Sequence, residues 1–237
     1  MAINTKIRSQ APELMDDFSM EGEMLREALD KIASINQILG GNKLTLQGVK
    51  SLIAKIPKSQ MITIADIGCG NGDMLRILAD YGFKNNSIFN LIGIDANAFT
   101  IKHAENLSVK YDNITYLCDD VFSEKFSNLS YDIVLCTLTL HHFQNEEILK
   151  LMTVLQRNAS VGIVVNDLQR SAISYRLFQA LCFFFQLNKM SRDDGLVSIL
   201  RGFKRNELAA FSQKLQFKKY KIQWKWAFRY QWIISNL

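Results

Sequence analysis

Short apolar runs of strand length alternate with longer segments of helical length from Met61 to Asp167. The strand-length runs read MITIADIG, FNLIGIDA, NITYLCDD, YDIVLCTL and SVGIVVNDL. Strands that are apolar on both faces and alternate with helices are typical of a parallel sheet covered on both sides. With right-handed crossovers between the strands, this pattern predicts a doubly wound α/β fold.

The C-terminal residues alternate between aromatic or aliphatic and polar side chains. The apolar positions are Tyr220, Ile222, Trp224 and Trp226, then Phe228, Tyr230, Trp232 and Ile234. This period of two predicts an antiparallel hairpin with one buried aromatic face. The hairpin would complete a mostly parallel, seven-stranded sheet.

Residues 1–60 contain no strand signal. We therefore predict an N-terminal helical cap over this range, followed by a Rossmann-like α/β domain over residues 61–237. Ser19 and Thr45 are expected to cap the two amphipathic helices of the N-terminal range, because small hydroxylated side chains satisfy the first free backbone N–H groups of a helix.

The alternation is interrupted after the fifth strand. Residues 171–189 read as a very apolar helix, followed by a Gly-containing loop, SRDDG, and a short apolar stretch. We predict a helical lid insertion at residues 171–203, whose aromatic side chains, Tyr175 and Phe178 among them, build an apolar substrate pocket. A dimer interface, and hence a homodimer, and simple core packing are the two alternatives for this helix.

Positive charge is concentrated at the C-terminus. The formal net charge is +5, yet residues 201–237 contain nine Lys or Arg, one acidic residue and all 3 Trp. Such a segment is compatible with nucleic-acid binding. Its strict alternation instead favours a buried face and a protected edge strand, so nucleic acid is the less favoured partner.

The 4 Cys and 3 His show no spacing typical of a metal or redox site. Each Cys lies in an apolar or strand-like run, which favours buried, reduced thiols. The N-terminus lacks the apolar core of a signal peptide, and the most apolar window, LFQALCFFFQL, has about half the length of a membrane span. We expect a cytoplasmic protein without a metal or a transmembrane segment.

The most informative motif is the run DIGCGNGD at residues 66–73, which follows a strand and opens a helix. Glycines at such a point allow a tight turn and a close approach of a ligand, and the helix N-terminus offers free N–H groups. Asp66, at the end of the strand and two residues before the first glycine, disfavours a negatively charged pyrophosphate. It suits a ligand that carries an amine.

Acidic residues also end the next two strands. Asp95 follows the second strand at nearly the spacing expected of a ribose-binding carboxylate, and Asp119 and Asp120 follow the third. Because open α/β sheets bind ligands at the carboxyl ends of their strands, we expect these acids and Asp66 to share one site.

Residues 60–167 closely resemble the class I S-adenosylmethionine-dependent methyltransferases in the order of these motifs. The resemblance implies that residues 66–72 hold the methionine part of the cofactor, S-adenosylmethionine, and that Asp95 binds its ribose hydroxyls. Asp120 is favoured over Asp119 for the adenine amino group, because the family's pattern is an acid followed by a small apolar residue. The implied cofactor-binding residues are Asp66, Gly68, Cys69, Gly70, Gly72, Asp95, Ala96, Asp120, Val121, Cys136 and Thr137.

Other runs resemble a bacterial subfamily of small-molecule methyltransferases. They are ELMD at residues 13–16, INQILGG at 35–41, VNDLQRS at 165–171 and DGLVSILR at 194–201. Members often sit beside type III polyketide synthases, which implies methylation of a hydroxylated aromatic or lipidic polyketide.

Methyl transfer to a phenol requires alignment, exclusion of water and removal of a proton. His141 and His142 follow the fourth strand and are the candidate catalytic bases, because an ordinary imidazole titrates at about pH 6.5; a structural turn is the alternative. Asp167 and Arg170 follow the fifth strand and are candidate substrate contacts, or else a helix cap and a solvated arginine. His103 is expected on a solvated helix face.

Together these features predict an S-adenosylmethionine-dependent enzyme that O-methylates a small, largely apolar acceptor. One alternative is an RNA or protein methyltransferase that uses the basic C-terminal segment. The run CTLTLHH after the fourth strand lacks the Pro-Pro motif of amino-methylating enzymes, which disfavours that alternative. A second alternative is a protein that binds the cofactor without catalysis.

Overall fold

The computed structural model describes residues 3–185 and 187–237. Its strands are β1 (Ile62–Ile67), β2 (Phe89–Asp95), β3 (Ile114–Cys118), β4 (Tyr131–Thr137), β5 (Ala159–Leu168), β6 (Tyr220–Lys225) and β7 (Arg229–Ser235). They form one seven-stranded sheet in the order β3-β2-β1-β4-β5-β7-β6. The first five strands run parallel, and β7 lies antiparallel between β5 and β6. The predicted fold class is therefore confirmed.

Helices cover both faces of the sheet. They are α1 (Glu23–Ile38), α2 (Gly41–Ile53), α3 (Asp73–Asn85), α4 (Ala98–Leu107), α5 (Glu124–Ser127), α6 (Asn145–Asn158), α7 (Ala172–Phe184), α8 (Lys189–Arg201) and α9 (Arg205–Lys214). Short 3₁₀ turns lie at Leu14–Asp16 and Leu140–His142. No helix in the described part of the chain is long and apolar enough to cross a membrane.

Two apolar cores lie on opposite faces of the sheet. On one face, α6 and α9 pack against side chains that include Trp232, which is fully buried. On the other face, α2, α3 and α4 cover β1, β2 and β4. Gly48 brings α2 so close to β5 that an added Cβ would lie 2.5 Å from a methyl carbon of Val164. The N-terminal range thus supplies part of the sheet's own helical layer.

Several local predictions about helix boundaries were wrong. Helix α1 begins after Gly22 rather than at Ser19, whose hydroxyl bonds Asp17 instead. Helix α2 begins at Gly41, so Thr45 is an interior residue. The run SRDDG lies inside α8 and is not a loop, because Asn188 caps the helix by accepting a hydrogen bond from the Ser191 amide.

The aromatic face of the hairpin is only partly buried. Trp232 is fully covered, whereas Trp224 is 51% and Trp226 72% exposed. The cause is topological, since β7 has a strand on each side and β6 is the edge of the sheet. Cys118 is also exposed, unlike the other three cysteines.

His103 does not lie on a solvated face. Its Nε2 atom is 2.8 Å from Oδ1 of Asp30, and its side chain is 11% exposed. The same Asp30 oxygen accepts a hydrogen bond from Asn71 in the glycine loop. The pair therefore ties α1 to α4 beside that loop.

Candidate active site

Three glycines shape the loop between β1 and α3. Gly68, Gly70 and Gly72 have φ angles of +63°, +54° and +78°, a region that favours glycine. A Cβ on Gly68 would lie 2.6 Å from the Thr139 side chain, and one on Gly72 would lie 2.0 Å from the Tyr116 hydroxyl. Around Gly70 the nearest atom is a Leu29 methyl carbon at 3.8 Å. The loop is thus packed at both ends and open at its centre.

Asp66 provides a buried carboxyl group directly before this loop. It is 2% exposed, and its Oδ1 atom has no hydrogen-bond partner. Burial raises the pKa of Asp66 well above its usual value, and the nearby carboxylates of Asp73 and Asp95 raise it further. A buried carboxyl oxygen without a partner fits a positively charged group such as the amine of S-adenosylmethionine.

Asp95 lies at the same edge of the sheet. One of its oxygens accepts from the Gly70 amide at 3.3 Å and the other from the Asn97 amide at 3.0 Å. Burial raises the pKa of Asp95, although hydrogen bonds from the backbone amides and the charge of His142 lower it. A carboxylate held in this way keeps lone pairs for ligand hydroxyls. Ala96, half-buried, follows it.

The two acids after β3 have different surroundings. Asp120 is exposed, and its Oδ1 atom accepts from the Phe122 amide at 2.9 Å, while Val121 is half-buried. Asp119 is half-buried, and its Oδ2 atom is buried without a partner. The free acceptor therefore belongs to Asp119 rather than to Asp120.

Three of the predicted cofactor-site residues lie deeper. Cys69 is 5% exposed, and Cys136 is fully buried within the apolar core, where burial raises the pKa of both thiols. Thr137 lies 3.0 Å from the Thr45 hydroxyl, which joins the end of β4 to α2.

His141 is buried against Asp167. Its Nδ1 atom lies 2.7 Å from Oδ1 of Asp167, and its amide donates to the other carboxylate oxygen at 3.1 Å. Burial alone would raise the pKa of Asp167, but the charge and hydrogen bond of His141 lower it below its usual value. Asp167 is thus occupied in orienting His141 and is not free to bind a substrate.

His142 forms a similar pair with Asp16, from the N-terminal 3₁₀ turn. Its Nδ1 atom lies 2.6 Å from Oδ1 of Asp16. Its side chain is 28% exposed, against 3% for His141. Of the two predicted catalytic histidines, His142 is therefore the one within reach of a ligand.

Glu13 lies between the two histidines. Its carboxylate oxygens are 3.8 Å from Nε2 of His141 and 4.0 Å from Nε2 of His142. Burial raises the pKa of Glu13, although Ser198 donates a hydrogen bond to it. One atom from each of these three residues lies within 4.8 Å of the others, a spacing compatible with a metal ion. Arg201, 3.6 Å from Glu13, already places a positive charge there.

Helix α8 holds this cluster together. Arg201 at its C-terminus donates to Asp16 at 2.6 Å and to the His141 carbonyl at 3.1 Å. Asp194 accepts from the amides of Leu14 and Met15 at 2.8 and 3.1 Å. The runs ELMD and DGLVSILR, quoted from the sequence, therefore meet around the histidine pair.

Two of the predicted substrate contacts, Arg170 and Phe178, pack within the protein. The Arg170 guanidinium is fully buried, pairs with Glu207 at 2.5 Å and donates to the Gly202 carbonyl, so it cannot reach a substrate. The Phe178 ring packs on α8, where a Cβ on Gly195 would lie 2.3 Å from it. Tyr175 lines a surface cleft with Arg8 and Leu200.

Helix α7 packs outside α8 and leaves Phe183 81% exposed, so α8 is the helix that covers the site.

Two arginines beside the site were missed in the sequence. Arg8 donates to the carbonyls of His141 and Phe143 at 3.1 and 3.0 Å, and burial lowers its pKa to about 10. Arg229 is 3% exposed at the start of β7. No local pattern marks Arg8, because its partners follow it by more than 130 residues. Arg229 occupies one of the polar positions of the alternating hairpin, where a charged residue is expected, so the sequence pattern did not mark it as a site residue.

Comparison with known proteins supports the sequence resemblance. Residues 64–162 match the family model described as a methyltransferase domain. No curated protein sequence matches the chain. A domain of this kind takes its methyl group from S-adenosylmethionine, in agreement with the predicted cofactor.

Solved structures with the same fold share little sequence with this chain. The plantazolicin methyltransferase BpumL, in complex with SAH, is 18% identical, with 88% of this chain and 89% of that chain covered and a TM-score of 0.67. The magnesium protoporphyrin IX methyltransferase ChlM from Synechocystis PCC 6803, with bound SAM, is 15% identical, with 93% and 88% covered and a TM-score of 0.55. The CurJ carbon methyltransferase is 14% identical, with 81% and 54% covered and a TM-score of 0.60. The chain therefore shares the Rossmann-like fold of these methyltransferases, and its residues 64–162 match the methyltransferase-domain model.

Proposed function

We propose that this protein transfers a methyl group from S-adenosylmethionine to the hydroxyl oxygen of a small aromatic acceptor. The observation that carries the proposal is that one edge of the sheet presents both halves of such a site. The unpartnered Asp66 oxygen and the open centre of the glycine loop fit the cofactor, and His142 lies in the turn that follows β4 at the same sheet edge.

The bound cofactor supplies an activated methyl group, so the protein's task is alignment and removal of one proton. Nε2 of His142 is the proposed proton acceptor. Asp16, hydrogen-bonded to Nδ1, fixes the ring and stabilises its protonated form. When bound, S-adenosylmethionine would give its methyl group to the acceptor oxygen and leave as S-adenosylhomocysteine, and His142 would hold the proton that the hydroxyl loses.

His141 is proposed to act through position rather than by contact with the acceptor. It is almost fully buried, its Nδ1 atom is held by Asp167, and its ring lies 4.3 Å from that of His142. It therefore supports the 3₁₀ turn that carries His142.

For the cofactor we retain the residues implied by the resemblance, with Asp119 as well as Asp120 as acceptor for adenine.

A small acceptor is favoured by the enclosure of the histidine pair. The N-terminal turn at Leu14–Asp16 and α8 both lie over it, joined by buried hydrogen bonds to Asp194 and Arg201. A folded polymer would have to displace both elements. The proposed arrangement is a helical cap over residues 1–60 on the catalytic domain at 61–237, with α8 of the 171–203 insertion as the lid.

The test is a methyl-transfer assay with labelled S-adenosylmethionine and a panel of phenols. Turnover of a phenol by the wild type is expected, with a loss of roughly 10²-fold or more in kcat for His142→Ala, the low end of what general bases contribute. Asp112→Ala, at an exposed residue outside the site, is the control and should keep its kcat. Equal rates in wild type and His142→Ala would rule out the base. Methylation of RNA or protein alone would contradict the small-molecule proposal.

A further inference from the structure

Arg229 is a buried cation without a counterion. It is 3% exposed, and its Nε and Nη1 atoms are buried with no hydrogen-bond partner. Within the described residues, no carboxylate lies within 4.0 Å of its guanidinium. Burial lowers the pKa of Arg229 to about 10, while the charge of Asp167 opposes that shift. An isolated buried charge is costly, so a compensating group is expected at this place.

The amino end of α2 faces the same guanidinium. The Arg229 guanidinium carbon lies 3.1 Å from the position that a Cβ on Gly41 would occupy. Gly40, the N-cap residue, offers no side chain to the free N–H groups, and the first turn of α2 contains no acidic residue. A helix N-terminus carries partial positive charge. Two positive features therefore converge without an anion between them.

Two asparagines complete the surroundings of Gly41. The Oδ1 atoms of Asn36 and Asn166 are buried without partners, and Nδ2 of Asn166 donates to the Gly41 carbonyl at 2.9 Å. The unpaired donors of Arg229 fit an anion, and the unpaired amide oxygens fit an N–H or O–H group beside it. A ligand with a carboxylate next to a hydroxyl or an ammonium group offers both the anion and the hydrogen-bond donor.

This place adjoins the cofactor loop. Asn42, in the first turn of α2, donates to Asp73 at 2.6 Å, directly after Gly72. On the other side, Asn166 donates to the Thr45 hydroxyl, which meets Thr137 at the end of β4. The residues around Gly41 therefore lie between the glycine loop and the ends of β4 and β5, next to the proposed site of methyl transfer.

We propose that Arg229 and the amino end of α2 form a carboxylate-binding subsite of this active site. The inference rests on the proposed function for the identity of its ligands. An α-amino carboxylate would come from the methionine end of the cofactor, and a hydroxycarboxylate from the acceptor. The bound carboxylate accepts hydrogen bonds from the guanidinium, in the bidentate manner that arginine favours.

The experiment compares Arg229→Met with Arg170→Met, a second buried arginine that already has a carboxylate partner, Glu207. Arg229→Met removes an unpaired charge, so we expect thermal stability equal to or above that of the wild type. Arg170→Met should melt well below the wild type, because Glu207 loses its charged partner and the Gly202 carbonyl loses its donor. A matching loss of stability in Arg229→Met would mean a structural role and would overturn the inference.

Calorimetry then identifies the source of the carboxylate. If the carboxylate belongs to the cofactor, Arg229→Met should bind S-adenosylhomocysteine at least about 10-fold more weakly than the wild type does. Its affinity for 5′-methylthioadenosine, which lacks the carboxylate, should equal that of the wild type. If it belongs to the acceptor, the variant saturated with S-adenosylhomocysteine should lose affinity for 2-hydroxybenzoate but not for phenol. Wild-type affinities for all of these compounds would overturn the subsite. Failure of the wild type to bind S-adenosylhomocysteine would instead overturn the proposed function.

Discussion

Nδ1 of His142 and Oδ1 of Asp16 lie 2.6 Å apart, although the two residues are separated by 126 positions in the chain. The contact joins the N-terminal 3₁₀ turn to the turn that follows β4. Arg201 of α8 bonds the other oxygen of the same carboxylate. Three distant segments therefore meet at Asp16, and the environment of His142 depends on all of them.

The Asp16 pair predicts a loss of stability in acid. Burial alone would raise the pKa of Asp16, but hydrogen bonds from His142, the Glu13 amide and Arg201 outweigh it and lower the pKa. A carboxyl with a lowered pKa contributes stability above its unfolded pKa of about 3.9, and this is lost as the pH falls further. The difference in unfolding free energy between wild type and Asp16→Asn should therefore shrink below about pH 4. A difference that does not change with pH in urea titrations would contradict this account.

Asp66 predicts the opposite pH dependence for the protein without ligand. Burial raises its pKa, so its contribution to stability is present below the unfolded value of about 3.9 and is lost as the pH rises through the folded value. Asp66→Asn lacks this ionisation. We expect the stability of the wild type relative to Asp66→Asn to fall as the pH rises from acid to alkaline, measured by urea unfolding in matched buffers. Parallel pH profiles would show that Asp66 is not buried as described.

Two neighbouring glycines should separate folding from cofactor binding. Gly72→Ala would force Tyr116 away and adopt a left-handed backbone, so we expect a loss of about 1–3 kcal/mol in unfolding free energy. Gly70→Ala has the same backbone strain without the clash. It should be less destabilised but should bind S-adenosylhomocysteine more weakly, because its methyl group faces the open centre of the loop. Unfolding curves and calorimetry on both variants test the contrast, and the reverse order of stability would refute it.

Two tryptophans of the hairpin should differ in their effect on stability. Trp232→Ala removes a fully buried ring and should cost about 3–5 kcal/mol. Trp224→Ala removes a half-exposed ring with one hydrogen bond to Gln169, and about 1 kcal/mol is expected. Circular dichroism in urea measures both. Similar losses would mean that the edge strand is covered, as the sequence pattern suggested.

The sequence predicts which segments form strands and where the glycine loop lies, because both depend on local periodicity. Asp66, Asp95 and the acids after β3 were expected at one sheet edge, since parallel strands end there, and the structure places them so. The burial of individual side chains on the hairpin could not be predicted in this way. Trp224 and Trp232 follow the same alternation, yet only Trp232 has a strand on each side.

Long-range pairing explains the remaining errors at the site. Arg170 was a candidate substrate contact, but its guanidinium pairs with Glu207, 37 residues later in the chain. His103 looked solvated, but Asp30 lies 73 residues before it in the chain. No spacing rule connects such partners, because each contact depends on where whole helices pack.

The most direct test of the central claim is a calorimetric titration of S-adenosylhomocysteine into wild type and Asp95→Ala. The account predicts binding by the wild type and a loss of roughly 10- to 100-fold in the variant, because a charged acceptor of the ribose hydroxyls is removed, at a cost of about 1.5–3 kcal/mol. Asp112→Ala, an exposed acid outside the site, is the matched control and should bind normally. Absence of binding by the wild type, or equal affinity in wild type and Asp95→Ala, would contradict the claim that this sheet edge holds the cofactor.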